Sequence, residues 1–168
     1  LEKDFTLLYQ KYKEPIFSYI YYLSTNHTEA EEICQDVFLK VYLNIDKFEG
    51  RSSFKTWIYR IAKNTFLEFK RKSKREVLTC DTNLLERENH DATVVPESYL
   101  LHREKHRLIQ ETLNRMSEKY KSFIILRELQ NLSYQEISEI TDVKVNTVKV
   151  NIYRARSEFQ KIYKELEG

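Results

Sequence analysis

Covalent chemistry is hard to find in the 168 residues of this chain. The four histidines, His27, His90, His102 and His106, are scattered. His102 and His106 stand one helical turn apart but lack a third ligand, so a surface pair is expected and no metal site. Cys34 and Cys80 have no CxxC spacing; they read as thiols of a reducing compartment, with no disulfide or zinc framework. No Ser/His/Asp or Cys/His set stands out, and a nucleic-acid enzyme would need a carboxylate or metal cluster that the sequence does not offer. The expectation is a protein without catalytic residues, metal or cofactor.

What is organised is charge. From Arg51 to Arg75 nine basic residues face one acid, Glu68, and this net of +8 sits inside a chain whose total is only +2. Within it Arg60, Lys63, Asn64, Leu67, Lys70 and Arg71 share a helical face, apart from an apolar stripe of Phe54, Trp57, Ile58, Ile61, Thr65 and Phe69. A cationic track with an asparagine, beside the hydroxyl-bearing loop of Gly50, Arg51, Ser52 and Ser53, suits the phosphates of one strand and hydrogen bonds to an unstacked base. Trp57 is expected in the core. A second run, Lys144 to Arg156, carries four cations and no acid. There Val145, Val148, Ile152, Ala155 and Phe159 form an inward stripe, and Thr147, Lys149, Asn151, Tyr153, Arg154 and Arg156 are expected opposite it. Arginine forks to guanine O6 and N7, asparagine pairs with adenine, and lysine neutralises phosphate.

The elements that must hold these residues are helices. Only 2 Gly and 2 Pro are present, too few for the turns and breaks of a sheet protein of this length. With 41% hydrophobic and 32% charged residues, and a mean hydropathy of -0.63, the chain is expected to be soluble, all-α, and one domain or two small ones. The N-terminal LEKDFTLLYQKYKE is charged throughout, so no export signal is expected there. Phe5, Leu8, Tyr12, Ile16, Tyr19, Ile20 and Leu23 recur at helical spacing, with Pro15 at a kink or at the start of a new helix. Thr28 and Glu31 read as a capping box opening a helix over 29–45, and another helix is expected over 54–72.

Periodicity is lost from Glu76 to Pro96, where five acids outnumber Arg87. This reads as an acidic linker over 76–97 between an N-terminal unit, 1–75, and a C-terminal one, 98–168. In the second unit Ser133 and Glu136 form another capping box, followed by the short helix YQEISEI, the turn TDVK with Asp142 as its left-handed residue, and the longer basic helix. Short helix, turn and basic helix is the helix-turn-helix arrangement that lays its second helix in the major groove. On the helix over 29–45, Ala30, Ile33, Cys34, Val37, Phe38, Val41 and Ile45 make the core stripe, while Glu32, Gln35, Asp36, Leu39 and Leu43 form a second line. Leucines beside carboxylates suit docking on a basic partner; packing on the first helix would serve those leucines equally well.

The segments AEEICQDVFLKVYLNIDKFEGRSSFKTWIYRIAKNTFLEFKRK and LRELQNLSYQEISEITDVKVNTVKVNIYRARSEF resemble regions 2 and 4 of the bacterial ECF (extracytoplasmic function) sigma factors. The resemblance implies two helical domains joined by a flexible linker, with no region 3 between them. It also implies a role in initiation: binding core RNA polymerase, recognising promoter −35 and −10 elements, and promoting melting. Glu32, Gln35, Asp36, Leu39 and Leu43 match the helix that docks on the polymerase clamp. The loop Glu49 to Phe54, together with Asn64, matches the part that receives a flipped −10 base, with Arg60, Lys63 and Lys70 on its backbone. Thr147, Lys149, Asn151, Tyr153, Arg154 and Arg156 match the −35 helix; Asn146 and Val150 depart from the residues common there. A cognate anti-sigma factor, often membrane-anchored, and a cytoplasmic location are implied too. The rival reading is a polymerase-independent helix-turn-helix regulator, which predicts a palindromic duplex site.

Overall fold

The computed structural model describes residues 2–79 and 97–168. Among them the regular structure is helical, without a strand: α1 (Glu2–Ser24), α2 (His27–Asn44), α3 (Phe54–Thr79), α4 (Glu97–Arg115), α5 (Glu118–Ile124), α6 (Tyr134–Thr141) and α7 (Val145–Glu167). A 3₁₀ turn, Ile45–Lys47, ends α2, and a π-helical stretch, Ile125–Leu129, continues α5. The expected all-α class is the observed one.

α1 packs on α2 and α3 to make the first half; α4 and α5 pack on α7, and α6 on α7, to make the second. The two halves touch through α3 with α6, and through α1 with α4 and the π-helical stretch. No second helix starts at Pro15; α1 runs through it. A proline there forfeits a backbone hydrogen bond, and the neighbouring turns that bury Tyr12, Ile16, Tyr19 and Ile20 offset that cost. The chain turns at Thr25, φ 58°, and Asn26 rather than Thr28 caps α2, its Oδ1 accepting from the Glu29 amide at 3.0 Å. At the other capping box Ser133 performs as expected, its Oγ accepting the Glu136 amide at 3.1 Å.

α3 continues past the expected end near residue 72 to Thr79. The bulk of the acidic linker, 80–96, with Cys80 and His90, lies outside the described residues. The core includes the stripe expected of α2, with Ala30, Ile33, Val37 and Val41 essentially inaccessible. α3 buries more than expected. Besides Ile58 and Thr65, it encloses Tyr59, Ala62 and Phe66, because it is sandwiched between α2 and the second half. Tyr59 hydroxyl donates to Gln130 Oε1 at 2.6 Å across that boundary.

Candidate nucleic-acid and partner interfaces

α6 and α7 meet at a turn with little freedom. Asp142 takes the left-handed conformation, φ 57°, ψ 41°; its successor's amide donates to the Ser138 carbonyl at 3.2 Å, and Ser138 Oγ donates to the Val143 carbonyl at 2.6 Å. An aspartate tolerates this conformation better than most residues, so no glycine is needed. Thr147, Lys149, Tyr153, Arg154 and Arg156 are all exposed along α7, Tyr153 at 75%. Two of these are already in company. Arg156 Nε donates to Glu128 Oε1, and Lys149 lies over the Tyr134 ring, which Arg127 also approaches.

Asn151 is a correction. Expected on the outward face, it is 7% exposed, enclosed with Val148, Ile152 and Ala155. At 100° per residue it falls roughly 40° from Ala155 and 60° from Val148, on the flank of the inward stripe. Val150, at 47% exposure, stands on the outward face that the sequence reading gave to Asn151.

The first half brings together some of the expected residues and separates others. Gly50 has φ +70° and nothing within 4 Å of a notional Cβ, so it serves a left-handed backbone and not a close approach. Arg51 is exposed and pairs with Glu49 at 2.7 Å. Ser52 is half-buried. Ser53 Oγ accepts the Thr56 amide at 3.1 Å, so this hydroxyl opens α3. Phe54 joins an aromatic cluster with Tyr12, Phe48 and Trp57. Asn64 is exposed beside a groove of about 440 Å³ that also carries Lys40, Asn44, Lys47, Trp57 and Ile61. Three of these neighbours, Lys40, Asn44 and Lys47, escaped the sequence reading; Trp57 is half-buried at the same groove and is not confined to the core. Lys40 Nζ is held by Glu68 at 2.8 Å and Asp36 at 3.4 Å.

Of the cations expected on the strand backbone, Arg60 and Lys63 reach toward the second half, whereas Lys70 pairs within the first. Arg60 donates twice to the Glu139 carbonyl, from Nη2 at 2.6 Å and Nε at 3.2 Å. This carbonyl belongs to the last turn of α6, where the helix dipole favours a cation. Lys63 lies nearby; burial lowers its pKa, with Asp142 opposing and Arg60 adding to the shift. Lys70 pairs with Glu29 at 3.5 Å and sits over Phe66. Lys55 Nζ, from the same helix, lies 3.1 Å from Glu136 Oε2.

On α2 the partner line is open. Glu32, Gln35 and Asp36 are exposed, and Leu39 and Leu43 stand at 55% and 63% exposure. Tyr42 and Tyr9 extend this apolar surface. A shallow groove of about 840 Å³ between α1 and α2 is lined by Phe5, Tyr9, Phe17, Gln35, Leu39 and Tyr42 among others. The excess of aromatic residues in α1 over what its stripe requires was the available signal for the part contributed by Tyr9.

No group of three or more His, Cys, Asp or Glu is assembled for a metal among the described residues, and no described helix is long and apolar enough to cross a membrane. Sequence models of Sigma-70 region 2 and Sigma-70 region 4 match residues 8–76 and 106–159. The ECF RNA polymerase sigma-E factor of Haemophilus influenzae is 35% identical over 162 residues, which cover 92% of this chain and 85% of that protein. The ECF RNA polymerase sigma factor SigW of Bacillus subtilis is 34% identical over 161 residues, covering 92% and 86%. Among solved structures, sigma factor RpoE of Bartonella quintana, bound to its anti-sigma factor NepR, superposes with a TM-score of 0.79 at 28% identity, over 96% of this chain and 98% of that one. Two region matches in the right order and relatives spanning nearly the whole length make this chain a member of the ECF family of RNA polymerase sigma factors.

Proposed function

We propose that this alternative sigma factor divides its task among the three surfaces described above. The α3 groove beside Asn64 receives an unstacked −10 base: an aromatic face from Trp57, amides from Asn44 and Asn64, and cations from Lys40 and Lys47 are the groups that stack on a base, pair with its edge and hold its phosphate. That convergence is the observation that carries the reading. The loop of Gly50, Arg51 and Ser52 borders the captured strand, while Ser53 and Phe54 shape its start. Arg60, Lys63 and Lys70 hold the backbone once released from their present contacts. On α7, Thr147, Lys149, Tyr153, Arg154 and Arg156 contact the −35 element, with Asn151 supporting the helix from within. Glu32, Gln35, Asp36, Leu39 and Leu43, with Tyr42, dock on core RNA polymerase.

Each DNA contact is modest by itself, and tethering two of them to a polymerase contact makes them reinforce through effective concentration. Base capture converts melting, which costs a few kcal/mol per extruded base, into recognition. The protein supplies no covalent step. Its partners are core polymerase, promoter DNA and an anti-sigma factor, which we place at the membrane, and its compartment is the cytoplasm.

Reconstituted transcription with core polymerase on randomised promoter DNA tests this reading. Selected −35 and −10 words are expected only when the protein is present, and no enrichment refutes the proposal. Asn64→Ala is expected to flatten preference at one −10 position while leaving the −35 preference in place; unchanged opening of −10 variants would place the base elsewhere.

A further inference from the structure

Between the two halves lies a cavity of about 230 Å³ that shares only Lys63 with the surfaces proposed above. Leu23, Phe66, Phe123 and Val143 give it an apolar wall, and Lys63 from the first half and Lys119 and Lys121 from the second also line it. Among the described residues no carboxylate closes on the amine of Lys63 or Lys121 to salt-bridge distance. Both amines titrate below the usual lysine range. Burial is the main cause for each, and Lys70 adds like-charge repulsion that helps take Lys121 to about 8, with Glu118 partly opposing. Two half-buried lysines without a salt bridge, beside an apolar wall, are the parts of a receptor for an amphiphilic anion.

We propose that this cavity binds a small carboxylate with a short alkyl or aryl body, the carboxylate taken by Lys63 and Lys121 and the body lying against Leu23, Phe66, Phe123 and Val143. The volume is below the ~300–1,000 Å³ of pockets for drug-sized ligands, so the occupant is small. Glu118 also lines the cavity, and its charge repels a dianion such as phosphate more strongly than a monocarboxylate. A ligand that touches both halves stabilises their packed arrangement by mass action. The packed arrangement keeps Arg60 on the Glu139 carbonyl, so occupancy opposes promoter binding; this last consequence rests on the function proposed above, whereas the site does not.

Calorimetric titration of the full chain with sodium octanoate, and with inorganic phosphate at matched ionic strength, tests the proposal. One saturable octanoate site is expected, weakened at least tenfold both by Lys121→Met, which removes one anchor, and by Leu67→Trp, which fills the cavity from its rim. Retained helical circular dichroism shows that each variant folds. Absence of a saturable octanoate site, or undiminished binding in both variants, overturns the site, and phosphate binding as tightly as octanoate overturns the ligand class. Energy transfer between labels in the two halves should rise with octanoate as −10 DNA affinity falls. Octanoate binding that responds to both variants but leaves DNA affinity unchanged overturns the regulatory consequence alone.

Discussion

Asn64 and Asn151 carry the same side chain and meet opposite environments, which decides what each can do. Asn64 is exposed beside a groove with Trp57 and two lysines, whereas Asn151 is enclosed by the α7 core stripe. A buried amide cannot reach a base edge without unpacking its helix. Asn151→Lys is therefore expected to destabilise the second half by about 2–4 kcal/mol, since an unpaired charge replaces a neutral buried group; thermal denaturation measures it, and an unchanged Tm would show that the side chain swings outward. Arg154 is exposed and has no salt-bridge partner among the described residues. Arg154→Ala is expected to cost about 1–3 kcal/mol at one −35 base pair if the guanidinium forks to guanine. Binding titrations on single-substituted promoters separate this outcome from the uniform loss that a phosphate contact produces.

At the scale of elements, α6 and α3 show how local signals and context divide the work. α6 is short, and its first turn depends on Ser133 for one of its otherwise orphaned amides. Ser133→Ala is expected to cost about 1 kcal/mol, read as a lower denaturation midpoint with faster amide exchange at the start of α6. The capping box and the turn at Asp142 were legible because they depend on neighbours in the chain. α3 was only half legible: its stripe through Ile58 and Thr65 followed from spacing, but Tyr59, Ala62 and Phe66 are buried because another part of the chain covers them. The α2 face was legible as a pattern, and its exposure was undetermined until the fold left Leu39 and Leu43 more than half exposed.

At the scale of the whole molecule, side chains from the first half, two of them cations of the Arg51–Arg75 run, are held against the second. Arg60 on the Glu139 carbonyl, Lys55 beside Glu136, Tyr59 on Gln130, and Tyr19 within 3.3 Å of Ser122 all join the two halves. This packing has a built-in pH dependence at Lys121, whose amine is lowered to about 8 by burial first and by Lys70 second, against Glu118; Lys63 and Lys119 line the same cavity. A lysine with a lowered pKa in the packed state penalises that state while it is charged. The penalty is complete below about 8 and is relieved as pH rises from there toward the ordinary lysine range. Energy transfer between labels in the two halves is thus expected to increase from about pH 8 to about pH 10. Lys121→Met should remove most of that increase, and a packed fraction that falls over this interval would contradict the assignment.

The sequence alone determined the helical class, the helix-turn-helix with its Ser133 cap and Asp142 turn, the α2 core stripe, the concentration of positive charge from Arg51 to Arg75, and membership of a family. Each of these depends on residue type and on spacing within one element, which the helical repeat converts directly into a face. Only the tertiary structure decided that Asn151 faces inward, that Lys40, Asn44, Lys47 and Trp57 gather around Asn64, and that Arg60 and Lys63 are turned toward α6. Those are relations between residues on different helices, or on the flank of a stripe where a few tens of degrees separate core from solvent. Packing settles them by what covers each side chain, and spacing along one helix carries no record of its neighbours.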